Sequence, residues 1–406
     1  MKRFVFALLS VVLLAAACGK DSAEKKGGNP EEESEVFVAN ALSINGEASV
    51  TYETGELSTV LSGKSVTSLE WTDISQMNAT DVMALRQVKS SVKTIDMFKL
   101  RFIDDGVSTY DGYSSKEEKI KPELLPQELL DGFKVLESVV LPKNVIGIGS
   151  CALNGCSKLV SCTLPPKLEY MQRYCFHYCS SLESIELPET FKEMRDSDNF
   201  SYCKALKSFS FPDATVSVGP TTFDGCSSLK SLHLGASCKA VGDYFPGACY
   251  ALETITLSSN NKSMAMKNGC LTTVDKTKLL LQPFASTDNH LLVRAFPVTG
   301  MRIVSCPYST IEFENGCEEI KTLFVGNQKT TKIIFPASVS SITTNTCLNN
   351  PGVTTLIFRS SIPPSIPANF FAGFGNLTEI LVPSSAVNTY KAAAGWADYA
   401  SKITYE

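Results

Sequence analysis

Residues 223–235 read Phe-Asp-Gly-Cys-Ser-Ser-Leu-Lys-Ser-Leu-His-Leu-Gly, and the same sentence returns along the chain. Its cysteine recurs at Cys156, Cys179, Cys203, Cys226 and Cys249, with gaps of 23, 24, 23 and 23 residues. Counting each cysteine as position zero, apolar residues follow at three, six and eight. Cys156 leads to Leu159, Cys162 and Leu164; Cys179 to Leu182, Ile185 and Leu187. Cys203 leads to Leu206, Phe209 and Phe211; Cys226 to Leu229, Leu232 and Leu234; Cys249 to Leu252, Ile255 and Leu257. A fixed period of this length is the mark of a solenoid, whose units bury their apolar faces against their neighbours.

The frame extends in both directions. Phe133 occupies position zero before Leu136, Val139 and Leu141; Asn327 precedes Ile333 and Phe335; Asn350 precedes Val353, Leu356 and Phe358; Phe374 precedes Leu377, Ile380 and Val382. Asn and Cys share the place because both are small and can hydrogen-bond the turning backbone. Three residues earlier stands a large apolar residue (Leu153, Phe176, Phe200, Phe223, Phe324, Phe371), expected as a second buried column. The fold class is therefore mainly β with short helices, a leucine-rich-repeat solenoid of about 23-residue units with a parallel β-sheet and helical terminal caps.

The organisation reads as residues 37–131, capping and degenerate units; 132–258, regular repeats; 259–304, an inserted β-hairpin segment; and 305–406, carboxyl-terminal repeats and a helical cap. Asn78 can cap a short helix carrying Val82, Leu85 and Val88 on one face. Residues 124–133 also look helical, with Pro126 in the first turn. Asn268-Gly269 between alternating runs signals a hairpin. Residues 385–394 read as a helix stopped by Gly395, with Trp396 and Tyr399 folding back over the last unit.

Residues 1–17 form a secretory signal. Lys2 and Arg3 precede an apolar run, and Ala15-Ala16-Ala17 precede Cys18. Cys18 stands where a bacterial lipobox places its lipidated residue, so the expectation is an outer-membrane lipoprotein held by its amino-terminal lipid and exposed on the cell surface. Residues 18–36 are a polar, flexible tether, with too little apolar content to fold.

The Phe-Asp-Gly-Cys-Ser-Ser-Leu sentence, the stretch with Lys267-Asn268-Gly269 and Asp275-Lys276-Thr277, and the ending from Val382-Pro383 to Trp396 resemble the BspA-type leucine-rich-repeat surface proteins. The resemblance spans residues from about 55 to 406. It implies a cell-surface protein in which no catalytic residues are assigned, with adhesion or protein binding as the family's described role. Many units here lack the Ile-Gly pair of that family's outer segment, so the convex side is expected to be irregular.

Net charge is −5, which excludes the basic stripe a nucleic-acid surface needs. His177, His233 and His290 are far apart, and no Cys-Xaa-Xaa-Cys or His-Glu-Xaa-Xaa-His occurs among the residues, so neither a metal nor a cofactor is expected. No catalytic constellation is apparent. The repeated cysteines, with Asn327 and Asn350, read as a buried structural ladder of free thiols and amides. Positions five and seven face the open concave surface. Position five is a hydroxyl ladder, which also suits a crowded parallel sheet. Position seven turns from polar to apolar, ending in Ile334, Ile357 and Leu381. These three are the candidate interaction patch, open to a foreign protein, a second copy or the carboxyl-terminal helix. The functional expectation is a non-catalytic surface protein in protein–protein interaction or adhesion, its partner a host or bacterial surface protein. The alternative is a glycan-binding accessory lipoprotein of an outer-membrane nutrient-uptake system, which an exposed Trp or Tyr cluster would favour.

Overall fold

The structure, a computed structural model, describes residues 39–111, 117–242, 245–286, 288–299, 302–343 and 347–406. The chain divides into Met1–Val36 and Phe37–Glu406, and every described residue lies in the second unit. Cys18, the signal segment and the tether fall outside the described residues. Among the described residues no helix is long and apolar enough to cross a membrane.

The apolar residues at positions six and eight point inward because side chains alternate along a strand. Their strands stack in parallel, one to a unit except in the Cys179 unit. The main face begins with a six-stranded sheet that includes Ser68–Trp71, Thr94–Asp96, Ser138–Val140 and Ser161–Thr163. It continues as Ser208–Ser210, Ser231–Leu234 and Thr254–Leu257. It ends as His290–Val293, Thr310–Phe313, Lys332–Phe335, Thr355–Phe358, Glu379–Val382 and Ile403–Tyr405. A second, narrower parallel sheet forms the opposite wall, from Leu124–Leu125 through Gly147–Ile148 and Tyr170–Met171 to Ala240–Val241. Residues 124–133 are thus not helical. Leu124 and Leu125 pair with Gly147 and Ile148, and this interstrand pairing overrides local helical preference.

Between these sheets runs a third wall. The N–H groups three and one places before position zero donate to carbonyls of the next unit: Leu153 to Cys175, Gly155 to His177, Phe176 to Asn199 and Tyr178 to Ser201, at 2.7–2.9 Å. The large residue three places before zero points inward throughout. Leu153, Phe176, Phe200, Phe223 and Phe324 are fully buried, and Phe176 and Phe200 stack at 5.1 Å. Each such side chain contributes about 2–3 kcal/mol of apolar burial.

Asn268 and Gly269 both take positive φ, joining Met264–Lys267 to Cys270–Thr273. Lys278–Leu281 then adds antiparallel and pairs in parallel with Val298–Thr299, in a separate narrow sheet that continues through Glu319–Ile320 to Ser341–Ile342. The amino-terminal end is closed by an antiparallel pair, Asn40–Ile44 with Val50–Tyr52, and by the helices Leu57–Leu61 and Ala79–Gln87. Asn78 caps the second helix, accepting from the Asp81 N–H at 3.1 Å. At the other end, Trp396 lies 4.8 Å from Phe358 and 5.3 Å from Phe371, and Tyr390 beside it is fully buried, so the helix Val387–Ala392 seals the apolar core.

Candidate functional site

The cysteine column belongs to the scaffold. Cys156, Cys179, Cys203, Cys226 and Cys249 are free and fully buried. Each thiol donates to the carbonyl three places before position zero in the preceding unit: Leu130, Leu153, Phe176, Phe200 and Phe223, at 3.0–3.2 Å. Asn327 and Asn350 make the same bond with Nδ2, to Ile303 and Phe324, both at 3.2 Å. Their Oδ1 atoms also accept backbone N–H groups of the preceding unit, Cys306 N at 2.8 Å and Asn327 N at 3.4 Å. Cys306 is thus a further member of the column, missed because its unit is shorter. Burial pushes the thiol pKa of Cys156, Cys203 and Cys226 well above its ordinary value, so these sulfurs stay protonated and are poor nucleophiles. Among the described residues no group of His, Cys, Asp and Glu could hold a metal ion.

The outward side of the main sheet carries positions five and seven. In its first part positions five and seven are exposed or half-buried: Ser161, Thr163, Ser208, Ser210, Ser231, His233, Thr254 and Thr256. Residues 183–187 of the Cys179 unit carry no assigned strand, although Lys207 N still donates to Glu183 O at 3.1 Å. Here a groove of about 490 Å³ opens, lined by Ser184, Glu186, Ser208, Ser210, His233 and Thr256. His233 Nδ1 and Thr256 Oγ1 lie 2.9 Å apart across neighbouring units. Along one rim, position four carries ion pairs between units: Lys93–Glu137 at 3.5 Å, Lys207–Glu183 at 2.5 Å and Lys230–Glu253 at 3.0 Å. Pairs this exposed are worth about 0–1 kcal/mol each, so they shape the rim's charge more than its stability. Their signal stands in the repeat frame, one residue before the hydroxyl column.

The carboxyl-terminal part differs from the expected open apolar stripe. Ile334, Ile357 and Leu381 are in register on adjacent strands. Ile334 is only 7% exposed and Ile357 only 5%, while Leu381 is half-buried. The same column contains Glu312, one strand before Ile334. Arg359 follows the strand of Ile357 and reaches Glu312 at 2.6 Å, two strands away, so its side chain passes over the level of Ile334. His290 Nε2 approaches the other oxygen of Glu312 at 3.2 Å. This polar bridge crosses the column at the level of Ile334. Thr355 beside it donates to Glu379 at 2.9 Å.

The arrangement is a long polar strip with a shallow groove on a rigid sheet. The BspA type leucine rich repeat region, in six copies, matches residues 125–197, 195–276 and 304–394, more than half of the chain; it is a repeat family, and no enzymatic family is indicated. No curated protein matches the chain. Among solved structures, a leucine-rich repeat protein from Eubacterium ventriosum is similar at 19% identity, with 79% of this chain and 74% of that one covered and a TM-score of 0.44. The pneumococcal vaccine antigen PcpA is similar at 18% identity, with coverages of 66% and 78% and a TM-score of 0.43. A leucine rich cell surface protein from Faecalibacterium prausnitzii is similar at 20% identity, with coverages of 62% and 82% and a TM-score of 0.37. The 23-residue period, the two buried columns and the matched segments together make this chain a member of the BspA-type leucine-rich-repeat family.

Proposed function

We propose that this chain is a surface-exposed lipoprotein, anchored through Cys18 and held off the membrane by the tether at 18–36, that binds another protein along the outward side of its main sheet. The observation that carries the reading is the groove at the Cys179 unit. It is lined by short hydroxyl side chains with Glu186 and His233 among them, and an ion-pair rim runs beside it. Short polar side chains on a rigid sheet offer hydrogen bonds at little entropic cost, and a solenoid presents them as an extended face suited to a protein surface. Adhesion to a host or bacterial surface is the role this proposes.

The test has two arms. Fatty-acid labelling should depend on Cys18, and protease added to intact cells should remove the repeat region. In a solid-phase assay on immobilised host matrix proteins and bacterial cells, Ser210→Arg should abolish capture while leaving the melting temperature nearly unchanged. Capture that persists in Ser210→Arg moves the contact away from the groove. Labelling of Cys18→Ala rejects the anchor.

A further inference from the structure

A second feature lies on the third wall, away from the main sheet, and stands independently of the groove. The residue just before position zero takes the left-handed conformation in successive units: Gly132 at φ 70°, Gly155 at 72°, Tyr178 at 59°, Tyr202 at 61° and Gly225 at 73°. Glycine meets this requirement freely, whereas a bulky side chain resists it. Two adjacent units nonetheless carry tyrosine, and Tyr178 is 48% exposed. The core does not use that ring, and the backbone does not favour it.

The two rings stack at 4.7 Å with an interplanar angle of 13°. Tyr202 leans over the next unit, where a Cβ added to Gly225 would come within 2.8 Å of its ring. The stack therefore leans one way. In the two units before Tyr178 the same place holds Gly155 and Gly132, which have no side chain to stack on it, and a Cβ added at Gly155 would meet nothing nearer than Gly132 Cα at 3.6 Å. His177 lies 4.2 Å from Tyr178 and 5.8 Å from Tyr202. It packs against Tyr178, and the Tyr178 ring still stays exposed.

A polar line borders this face. Asn154 Nδ2 donates to Asp131 at 2.7 Å, and Asn154 Oδ1 lies 3.1 Å from His177 Nδ1. A carboxylate only accepts, so the Asn154 amide nitrogen faces Asp131 and its oxygen faces His177. His177 therefore carries its proton on Nδ1 and keeps Nε2 as an acceptor. Burial lowers the His177 pKa below its ordinary value, which favours this neutral form.

We propose that Tyr178, Tyr202, His177, Asn154 and Asp131 form a binding site for an uncharged glycan, with the C–H face of one pyranose ring stacked on Tyr178 and its hydroxyl groups hydrogen-bonded by Asn154 and His177. A pyranose has an apolar face edged by hydroxyls, each both donor and acceptor. It needs a flat ring beside directional neutral groups, and this corner supplies that pairing. Asp131, with Asp198 and Asp224 acting on His177, disfavours sialylated or sulfated sugars. Arg173 is spread over the Tyr174 ring, 5.7 Å from its centroid.

The test uses the detergent-solubilised full chain with cellotetraose, maltotetraose and β-1,4-galactotetraose, and sialyllactose as the anionic probe. Saturation-transfer NMR should show contact with ring C–H protons of at least one neutral tetraose. Tyr178→Gly should weaken that binding by about tenfold or more, the scale of one lost aromatic contact, without lowering the melting temperature, because glycine suits the backbone there. Asn154→Ala should weaken it as well. Absence of transfer from all three neutral sugars overturns the proposal. So do undiminished binding by Tyr178→Gly, preference for sialyllactose, and a Tyr178-dependent protein contact without sugar binding. Loss of sugar binding in Tyr178→Gly with matrix-protein capture intact would support this site and leave the groove reading standing.

Discussion

Replacing Cys203 tests whether the thiol column works as a hydrogen-bonded ladder or as filler. Its sulfur is fully buried and donates to Phe176 O at 3.1 Å. That carbonyl also accepts from Cys179 N at 3.2 Å, so it keeps one partner when the thiol is removed. Cys203→Ala then loses a small buried volume and one weak bond, a cost of about 1–2 kcal/mol. Asn occupies the same place at 327 and 350, and by residue type alone Cys203→Asn looks harmless. The surroundings say otherwise. In the Asn units the amide oxygen accepts the position-zero N–H of the preceding unit, as Asn327 does from Cys306 N at 2.8 Å. In the Cys units that N–H, Cys179 N, is already held by Phe176 O. An Asn at 203 would bury an oxygen without a donor, about 1–3 kcal/mol, and add two heavy atoms to a filled site, about 1–3 kcal/mol more. Urea unfolding followed by circular dichroism should rank wild type above Cys203→Ala and Cys203→Ala above Cys203→Asn. An Asn variant as stable as the Ala variant would refute the distinction between thiol and amide units.

Ile357→Asp places a charge at a position 5% exposed and should cost more than about 3 kcal/mol; an unchanged melting temperature would mean the column is open to water. Asn78→Ala removes the cap on Asp81 N and a 2.9 Å bond to Asp105, and thermal melts should show a loss of about 1–2 kcal/mol. His177 is kept below its ordinary pKa by burial, with Asp198 and Asp224 opposing. Its contribution to stability is present above the unfolded value of about 6.5 and is lost as pH falls through the lower folded value. Acid should therefore destabilise wild type more than His177→Gln as pH falls below about 6.5, and parallel curves would remove His177 from that response.

The repeat, the inward columns, the Asn78 cap and the Asn268-Gly269 turn were legible because each depends on neighbours within one 23-residue unit or on the same place in the next. In a solenoid that local setting recurs, so spacing alone tells which residues face inward. Leu124 and Leu125 read as helical because Pro126 and the residues after it suit a first helical turn, and that local signal hid their place in the repeat, 23 residues before Gly147 and Ile148, with which they pair. The antiparallel closure by Asn40–Ile44 is likewise a pairing that no repeat announces.

The outward face shows where spacing stops being informative. Register put Ile334, Ile357 and Leu381 in one column, but Arg359 reaches across the level of Ile334 to Glu312, 47 residues away in sequence. The tyrosines at 178 and 202 stand in the sequence as two irregular letters before a cysteine. Only the folded chain shows that they replace glycine at a left-handed position, stack on each other and border the Asp131–Asn154–His177 line. Periodicity determines the direction in which a side chain leaves the backbone; what it meets there depends on side chains arriving from other units, and that is decided in three dimensions.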